Sequence, residues 1–162
     1  MGMYKTHIDI PEGDREKLVG LLNARLADLV DLQTQTKQAH WNVKGRSFIA
    51  LHELFDEVTN VVREASDTVA ERATALGGIA RGTARMAADK SVLAEYPASI
   101  ADGRAHAEAV AKALGITGAH IRKAIGEAAE IGDAATEDVF TEIARELDEK
   151  LWFVEAHLQG DD

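Results

Sequence analysis

Apolar residues recur at intervals of three and four along almost the whole chain, and strand-forming residues nowhere alternate over a convincing stretch. That spacing follows one face of an α-helix at about 3.6 residues per turn and points to a nearly all-helical fold. Both prolines, Pro11 and Pro97, fall at helix boundaries rather than inside a helix. A first helix is expected from about Asp14 to Val43, with Leu18, Leu22, Leu26 and Leu29 on its apolar side and Gly45 just past its end. A second is expected from an N-cap at Ser47 to Leu76, stopped by Gly77-Gly78. Its stripe of Phe48, Leu51, Phe55, Val58, Val62, Ala65, Val69 and Leu76 reads as a seam facing a core.

From Ile79 to Pro97 the pattern lapses over a stretch too long for a simple hairpin, with a short helix expected near Asp89–Glu95. A third helix follows from about Ser99 to Glu127; its Gly103, Gly115 and Gly118 lower helix propensity but permit close backbone approach. The last, about Asp133 to Leu158, carries Val139, Ile143, Leu147, Leu151, Val154 and Leu158 at helical spacing. Residues 1–13 read as a short N-terminal tail and 14–162 as the bundle domain. Four long helices with one long second-to-third crossover make an all-α, ferritin-like four-helix bundle with a short extra helix in that crossover.

A length of 162 residues fits one such domain, and 46 % apolar with 28 % charged residues is a globular composition. No apolar run approaches the ~18–20 residues that span a bilayer. Acidic residues appear as early as Asp9 and Glu12, so no export signal and a cytoplasmic location are expected, with nucleoid association as a secondary expectation. The absence of cysteine excludes disulfides, thiolate metal sites and cysteine nucleophiles together. With 18 Lys+Arg against 28 Asp+Glu the formal charge is −10, which argues against duplex DNA as a simple partner.

On the second helix His52 and Asp56 are four apart, and so are Asp67 and Glu71, so each pair projects from one face and can grip one ion. Either pair alone has an ordinary reading as a surface pair, with Arg63 available to Asp67 at i,i+4. His52 and Asp67, however, are separated by fifteen residues, about 22 Å of helix, so the two pairs of one chain cannot share a metal. Two copies of this helix packed antiparallel about a two-fold axis near Val61-Val62 would bring the first pair of one chain to the second pair of the other, making two identical sites. Both pairs lie beside the apolar seam, on the side that a partner could cover. His40, extending the first helix's stripe through Gln33 and Thr36, is the candidate fifth ligand. Two imidazoles and three carboxylates suit iron better than a closed structural zinc site. No histidine has a glutamate three residues before it, so the Glu-x-x-His motif of metal centres held within one subunit is missing.

The run from Lys37 through His40-Trp41-Asn42 to Gly45, the segment Phe48 to Asp56, the run Asp67-Thr68-Val69-Ala70-Glu71-Arg72, Leu76-Gly77-Gly78 and the closing stretch Leu147 to Leu158 together resemble the Dps family, the mini-ferritins that protect DNA in starved cells. The likeness covers roughly residues 14–158. It implies a hollow dodecamer built from two-fold dimers, with a ferroxidase centre at each dimer interface. His40, His52 and Asp56 would come from one subunit, and Asp67 and Glu71 from the other. The resemblance further implies iron, two ions per inter-subunit site, with Fe(II) oxidised preferably by hydrogen peroxide and ferric mineral stored in the cavity. Two one-electron donors matched to a two-electron oxidant release no hydroxyl radical. Trp41 reads as a packing aromatic that is also placed to intercept stray oxidising equivalents.

The acidic start of the last helix, Asp133, Glu137, Asp138 and Glu142, has a plain explanation in the helix dipole, and by resemblance a second one in acidic three-fold pores. His7, His106, His120 and His157 show no partnered spacing and are expected at the surface or locally hydrogen-bonded. The family's DNA binders commonly carry a Lys/Arg-rich tail. Here Met1 to Pro11 has only Lys5 as a cation, opposed by Asp9, and the chain finishes Gly160-Asp161-Asp162. Direct DNA binding is therefore expected to be weak or absent. The competing reading is a nucleoid-binding, DNA-compacting protein with secondary metal binding, which would need the basic residues that are missing.

Overall fold

Five helices and no strand form among residues 2–160, which the computed structural model describes. They are α1 (Glu12–Asn42), α2 (Phe48–Ala75), α3 (Ala84–Lys90), α4 (Gly103–Ile131) and α5 (Ala134–Ala156). Leu18, Leu22, Leu26, Leu29 and Leu32 of α1 are buried against Leu51, Phe55, Val58, Val62 and Val69 of α2, with Val110, Leu114 and Ile121 of α4 and Phe140, Ile143, Leu147 and Val154 of α5 closing the same core. Each such side chain taken from water contributes about 1.5–3 kcal/mol, so this seam is the main stabilising element of the bundle. No helix among the described residues is long and apolar enough to cross a membrane.

The packing order explains the crossover. α1 packs on α2 and α4, and α5 packs on α4 and α2, whereas α2 and α4 scarcely touch and occupy opposite corners. The α1–α2 loop meets the start of α4, where Lys44 N donates to Ala101 O at 3.0 Å. α2 and α4 therefore begin at the same end of the bundle, and the chain must return along its full length between them. That return is held by polar side chains of α1. Asn23 Nδ2 donates to Ile79 O (3.0 Å), Gln35 Nε2 donates to Ala94 O (3.0 Å), and Asp28 accepts from Val92 N (3.0 Å) while paired in the interior with Arg25 Nε at 2.9 Å.

Several expected boundaries move, each for a local reason. The short crossover helix lies at Ala84–Lys90 rather than Asp89–Glu95, because Thr83 caps it by accepting from Met86 N. α4 starts four residues later than Ser99 because Asp102 is its cap, accepting from Ala105 N at 2.9 Å, and it runs on to Gly132, which takes the left-handed conformation (φ 91°) that ends a helix. Ser47 precedes α2 without a side-chain capping bond; Gly45 (φ 110°) makes the turn, and its carbonyl accepts from Phe48 N. Phe48 is not in the seam. It sits beyond the end of α1, 42 % exposed, with its ring 5.1 Å from that of His52.

Residues 4–10 lie against the bundle rather than away from it. Tyr4 N donates to Gly77 O at 2.8 Å, and Ile8 and Ile10 pack on the core. The buried guanidinium of Arg15 binds both Leu76 O (2.8 Å) and Ile10 O (3.1 Å). Gly77 needs its positive φ of 85°, and a side chain at Gly78 would run into Val19 of α1. Asp161 and Asp162 lie outside the described residues, and so does Met1.

The far end of α2 is tied to the start of α5. Arg72 donates to Asp133 Oδ2 (2.7 Å) and to Thr136 Oγ1 (3.0 Å), and the Thr136 hydroxyl in turn donates to Asp133. Burial pushes the Asp133 carboxyl up, but the Thr136 hydroxyl and the Arg72 guanidinium outweigh it and hold the group below its ordinary value. A carboxyl depressed on folding stabilises the fold fully above its unfolded pKa and loses that contribution as pH falls through the lowered folded value. Asp133→Asn is expected to destabilise the protein by about 1.5–3 kcal/mol at neutral pH, with the difference from wild type vanishing below the usual carboxylate range; urea melts at several pH values measure it.

Candidate metal centre

His40 stands in the last turn of α1 and His52 in the second turn of α2, and the short loop between the helices turns the two rings onto each other. Their centroids are 3.7 Å apart with an interplanar angle of 22°. His40 Nδ1 lies 2.7 Å from His52 O, and His52 Nδ1 lies 2.9 Å from His40 O. A carbonyl oxygen only accepts, so each Nδ1 donates its N–H, and in the neutral form of each ring Nε2 is the nitrogen left with a lone pair. Hydrogen bonding of one ring nitrogen to a backbone carbonyl is how proteins fix a metal-binding imidazole in tautomer and orientation.

Asp56 follows His52 by one helical turn and is bound by Lys37 of α1. The hydrogen bond from Lys37 lowers its pKa, burial opposes the shift, and the charges of Lys37, His40 and His52 add to the lowering. Asp56 is thus an ionised carboxylate held ready by a displaceable ammonium. It lines a cavity of about 730 Å³ with Gln33, Lys37, Trp41, Asn60 and Tyr96. Trp41 is 66 % exposed, so it is not a packing aromatic within its own chain.

Asp67 and Glu71 project outward further along α2, and neither has a side-chain partner among the described residues. Arg63, the expected neutraliser of Asp67, instead approaches Glu64 at 3.9 Å. A second cavity of about 460 Å³ is lined by Asp67, Arg63, Glu64 and Gln33. Gln33 lines both cavities, so they adjoin along one groove between α1 and α2. At the level of Val61-Val62, Val62 is wholly buried, and the outward face there is made by Asn60 and Arg63.

The fold therefore brings His40 and His52 together, sets Asp56 one turn on, and leaves Asp67 and Glu71 on the same unbroken helix about 22 and 28 Å from His52. Among the described residues of one chain, no three such side chains converge as a metal site. The donor types gathered at this end of α2, two stacked imidazoles with an ionised carboxylate one turn on, suit a borderline divalent metal such as Fe(II) and need further ligands to complete a site.

Of the acidic residues at the start of α5, Asp133 is buried in its bond to Arg72, whereas Asp138 and Glu142 are exposed. Further along α5, burial and the carboxylates of Glu142 and Glu64 raise the Glu146 pKa. Sequence spacing missed Lys37, nineteen residues from Asp56, and it missed the pairing of partly buried Tyr96 with buried His106, whose Oη and Nδ1 are 2.6 Å apart. The signal for His106 was its place on the apolar stripe of Val110, Leu114 and Ile121.

Comparisons with known proteins place this fold in a class. The sequence model of the ferritin-like domain matches residues 19–162. The DNA protection during starvation protein of Agrobacterium fabrum is 42 % identical over 159 residues, covering 98 % of each chain. Among solved structures, DpsA14 from Streptomyces coelicolor superposes with a TM-score of 0.92 at 38 % identity, covering 98 % of this chain and 94 % of that one. Dps from Microbacterium arborescens, solved in a high-iron form, gives 0.85 at 33 % identity over 91 % and 95 %. The fold is that of the ferritin-like proteins, and within them the chain belongs to the Dps family.

Because the Lys37 ammonium competes for Asp56, Lys37→Met is expected to tighten divalent-cation binding by about two- to fivefold, the range of an exposed ion pair. Calorimetric titration with Co(II) reads this directly; unchanged or weaker binding would mean that Lys37 does not compete.

Proposed function

We propose that the protein is an iron-oxidising and iron-storing mini-ferritin whose ferroxidase centres form between subunits. Membership of the Dps family supports iron storage and protection of DNA. The observation that carries the finer reading is the reciprocal hydrogen bonding of His40 and His52, which frees both Nε2 atoms beside Asp56 and leaves the set one half short of a site. The missing half is Asp67 of the partner subunit and Glu71 of the partner subunit, delivered when two α2 helices pack antiparallel about a two-fold axis through the outward face near Asn60 and Arg63.

In this reading two Fe(II) ions are substrates. His40 and His52 bind through Nε2, and Asp56 exchanges Lys37 for metal. The carboxylates contributed across the interface then neutralise charge as Fe(II) becomes Fe(III). Two Fe(II) give one electron each to hydrogen peroxide, yielding two Fe(III) and two hydroxides, so no odd electron escapes as radical. The protein's contribution is to hold both donors together with open positions. Twelve copies enclose the cavity in which the ferric product accumulates, in the cytoplasm. DNA is protected by removal of iron and peroxide rather than by tight contact: the segment from Gly2 to Pro11 carries one lysine and is packed against the bundle.

Anaerobic loading with Fe(II) followed by hydrogen peroxide tests the reading. Wild type is expected to consume two Fe(II) per peroxide rapidly, and His52→Ala with Asp67→Ala to lose the fast phase, while neither shifts duplex DNA in gels at physiological salt. Equal slow oxidation by both proteins would overturn the ferroxidase reading. A strong gel shift would favour the nucleoid-binding alternative.

A further inference from the structure

The cavity that Asp56, Lys37 and Trp41 line has a phenol in its wall, Tyr96. Tyr96 lies at the end of the crossover, partly buried, just before Pro97. Its hydroxyl is 2.6 Å from His106 Nδ1, and the two rings stand nearly parallel, with an interplanar angle of 19° and centroids 6.0 Å apart. His106 sits in the first turn of α4 and is 1 % exposed. Its Nε2 is buried without a hydrogen-bond partner, although the backbone at Ile100 and at Asn42 lies near enough to favour the protonated ring.

This arrangement is more than a tie between the crossover and α4. A phenylalanine against a leucine would bury comparable surface there without stranding a ring nitrogen, and orphaned buried polar groups in native folds call for a reason. Burial pushes the Tyr96 hydroxyl up to about 12, so the phenol does not ionise beforehand. Burial also lowers the His106 pKa, which leaves the imidazole neutral with Nδ1 free to accept. Once His106 is protonated, Asp102 and the Ile100 and Asn42 backbone stabilise the cation. The pair is thus a protonated phenol hydrogen-bonded to a neutral base whose surroundings accommodate the proton. Trp41 lines the same cavity, but its indole has no hydrogen-bonded base among the described residues.

We propose that Tyr96, with His106 as its proton acceptor, is a one-electron donor to oxidants formed in this cavity. The proposal rests on the ferroxidase reading and extends it to the case of a half-filled site. A single Fe(II) reduces hydrogen peroxide by one electron, giving Fe(III), hydroxide and hydroxyl radical. Tyr96 gives an electron to that radical, which becomes hydroxide, and the phenolic proton passes to His106 Nδ1, leaving a neutral tyrosyl radical and an imidazolium. A second Fe(II) then returns an electron to the tyrosyl oxygen, and His106 returns the proton. The sum is two Fe(II) and one peroxide giving two Fe(III) and two hydroxides, the same balance as the filled site, with no radical released.

The chain contains two tyrosines, Tyr4 and Tyr96, so the assignment is simple. Anaerobic protein carrying one Fe(II) per site is mixed with peroxide and freeze-quenched for electron paramagnetic resonance. Wild type is expected to show a tyrosyl signal. Tyr96→Phe, which removes only the hydroxyl, is expected to lose it and to release severalfold more spin-trapped hydroxyl radical, while its two-Fe oxidation rate stays unchanged. Normal iron oxidation with no tyrosyl signal, or with the signal intact in Tyr96→Phe, would overturn the proposal. Slow iron oxidation in every protein would instead count against the ferroxidase reading, and the pair is then tested without iron. In a Tyr4→Phe background, azide radical made by pulse radiolysis is expected to yield the Tyr96 phenoxyl with a solvent deuterium isotope effect that disappears in His106→Gln. Failure to form the phenoxyl there, or an isotope effect unchanged in His106→Gln, would overturn the proposal on its own terms.

Discussion

α2 is a continuous helix from Phe48 to Ala75, and its stiffness is the constraint from which the proposed assembly follows. A helix rises about 1.5 Å per residue, so His52 and Asp67 are kept about 22 Å apart whatever their side chains do. If both pairs are to hold metal, as proposed, a chain that carries them on one rigid rod can complete neither site alone. Everything else in the bundle serves to hold that rod at a fixed height and rotation. Leu51, Phe55, Val58, Val62 and Val69 seat it in the core, Arg72 ties one end to Asp133 and Thr136 of α5, and the His40–His52 bonds tie the other end to α1. With its inward face filled by apolar groups, the outward face is left to the charged residues.

The helices with strong leucine and valine stripes were legible because their packing obeys a period that sequence displays. The crossover was not, since what holds it is a set of single polar side chains on α1. Asn23, Asp28 and Gln35 would pass for surface residues, yet they bind the crossover backbone at Ile79, Val92 and Ala94. Phe48 shows the converse error. It continues the apolar stripe of α2, but α1 has ended at its level, so among the described residues it is left largely exposed beside the His52 ring.

The same division holds for the candidate site. Pairs four apart on one helix are visible in a sequence, and His52 with Asp56 and Asp67 with Glu71 were found that way. Contacts made by folding α1 onto α2 are not visible, so neither the stacking of His40 on His52 nor the Lys37–Asp56 pair was foreseen. Tyr96 and His106 are close in sequence but separated by an irregular stretch and a cap, and only the fold puts the phenol against the ring. The features legible from spacing are the candidate metal donors. Those that were not, Lys37 and Tyr96, are the groups that compete for the site or share its cavity.

The central claim is that each site is divided between two chains, and complementation tests it most directly. His52→Ala and Asp67→Ala chains, each inactive alone, are unfolded together and refolded as a mixture. Random pairing makes half of the dimers mixed, and a mixed dimer has one intact site of its two, so about a quarter of the wild-type fast iron oxidation returns. If the mixture stays as slow as its separate components while the assembly re-forms, the site does not lie between subunits.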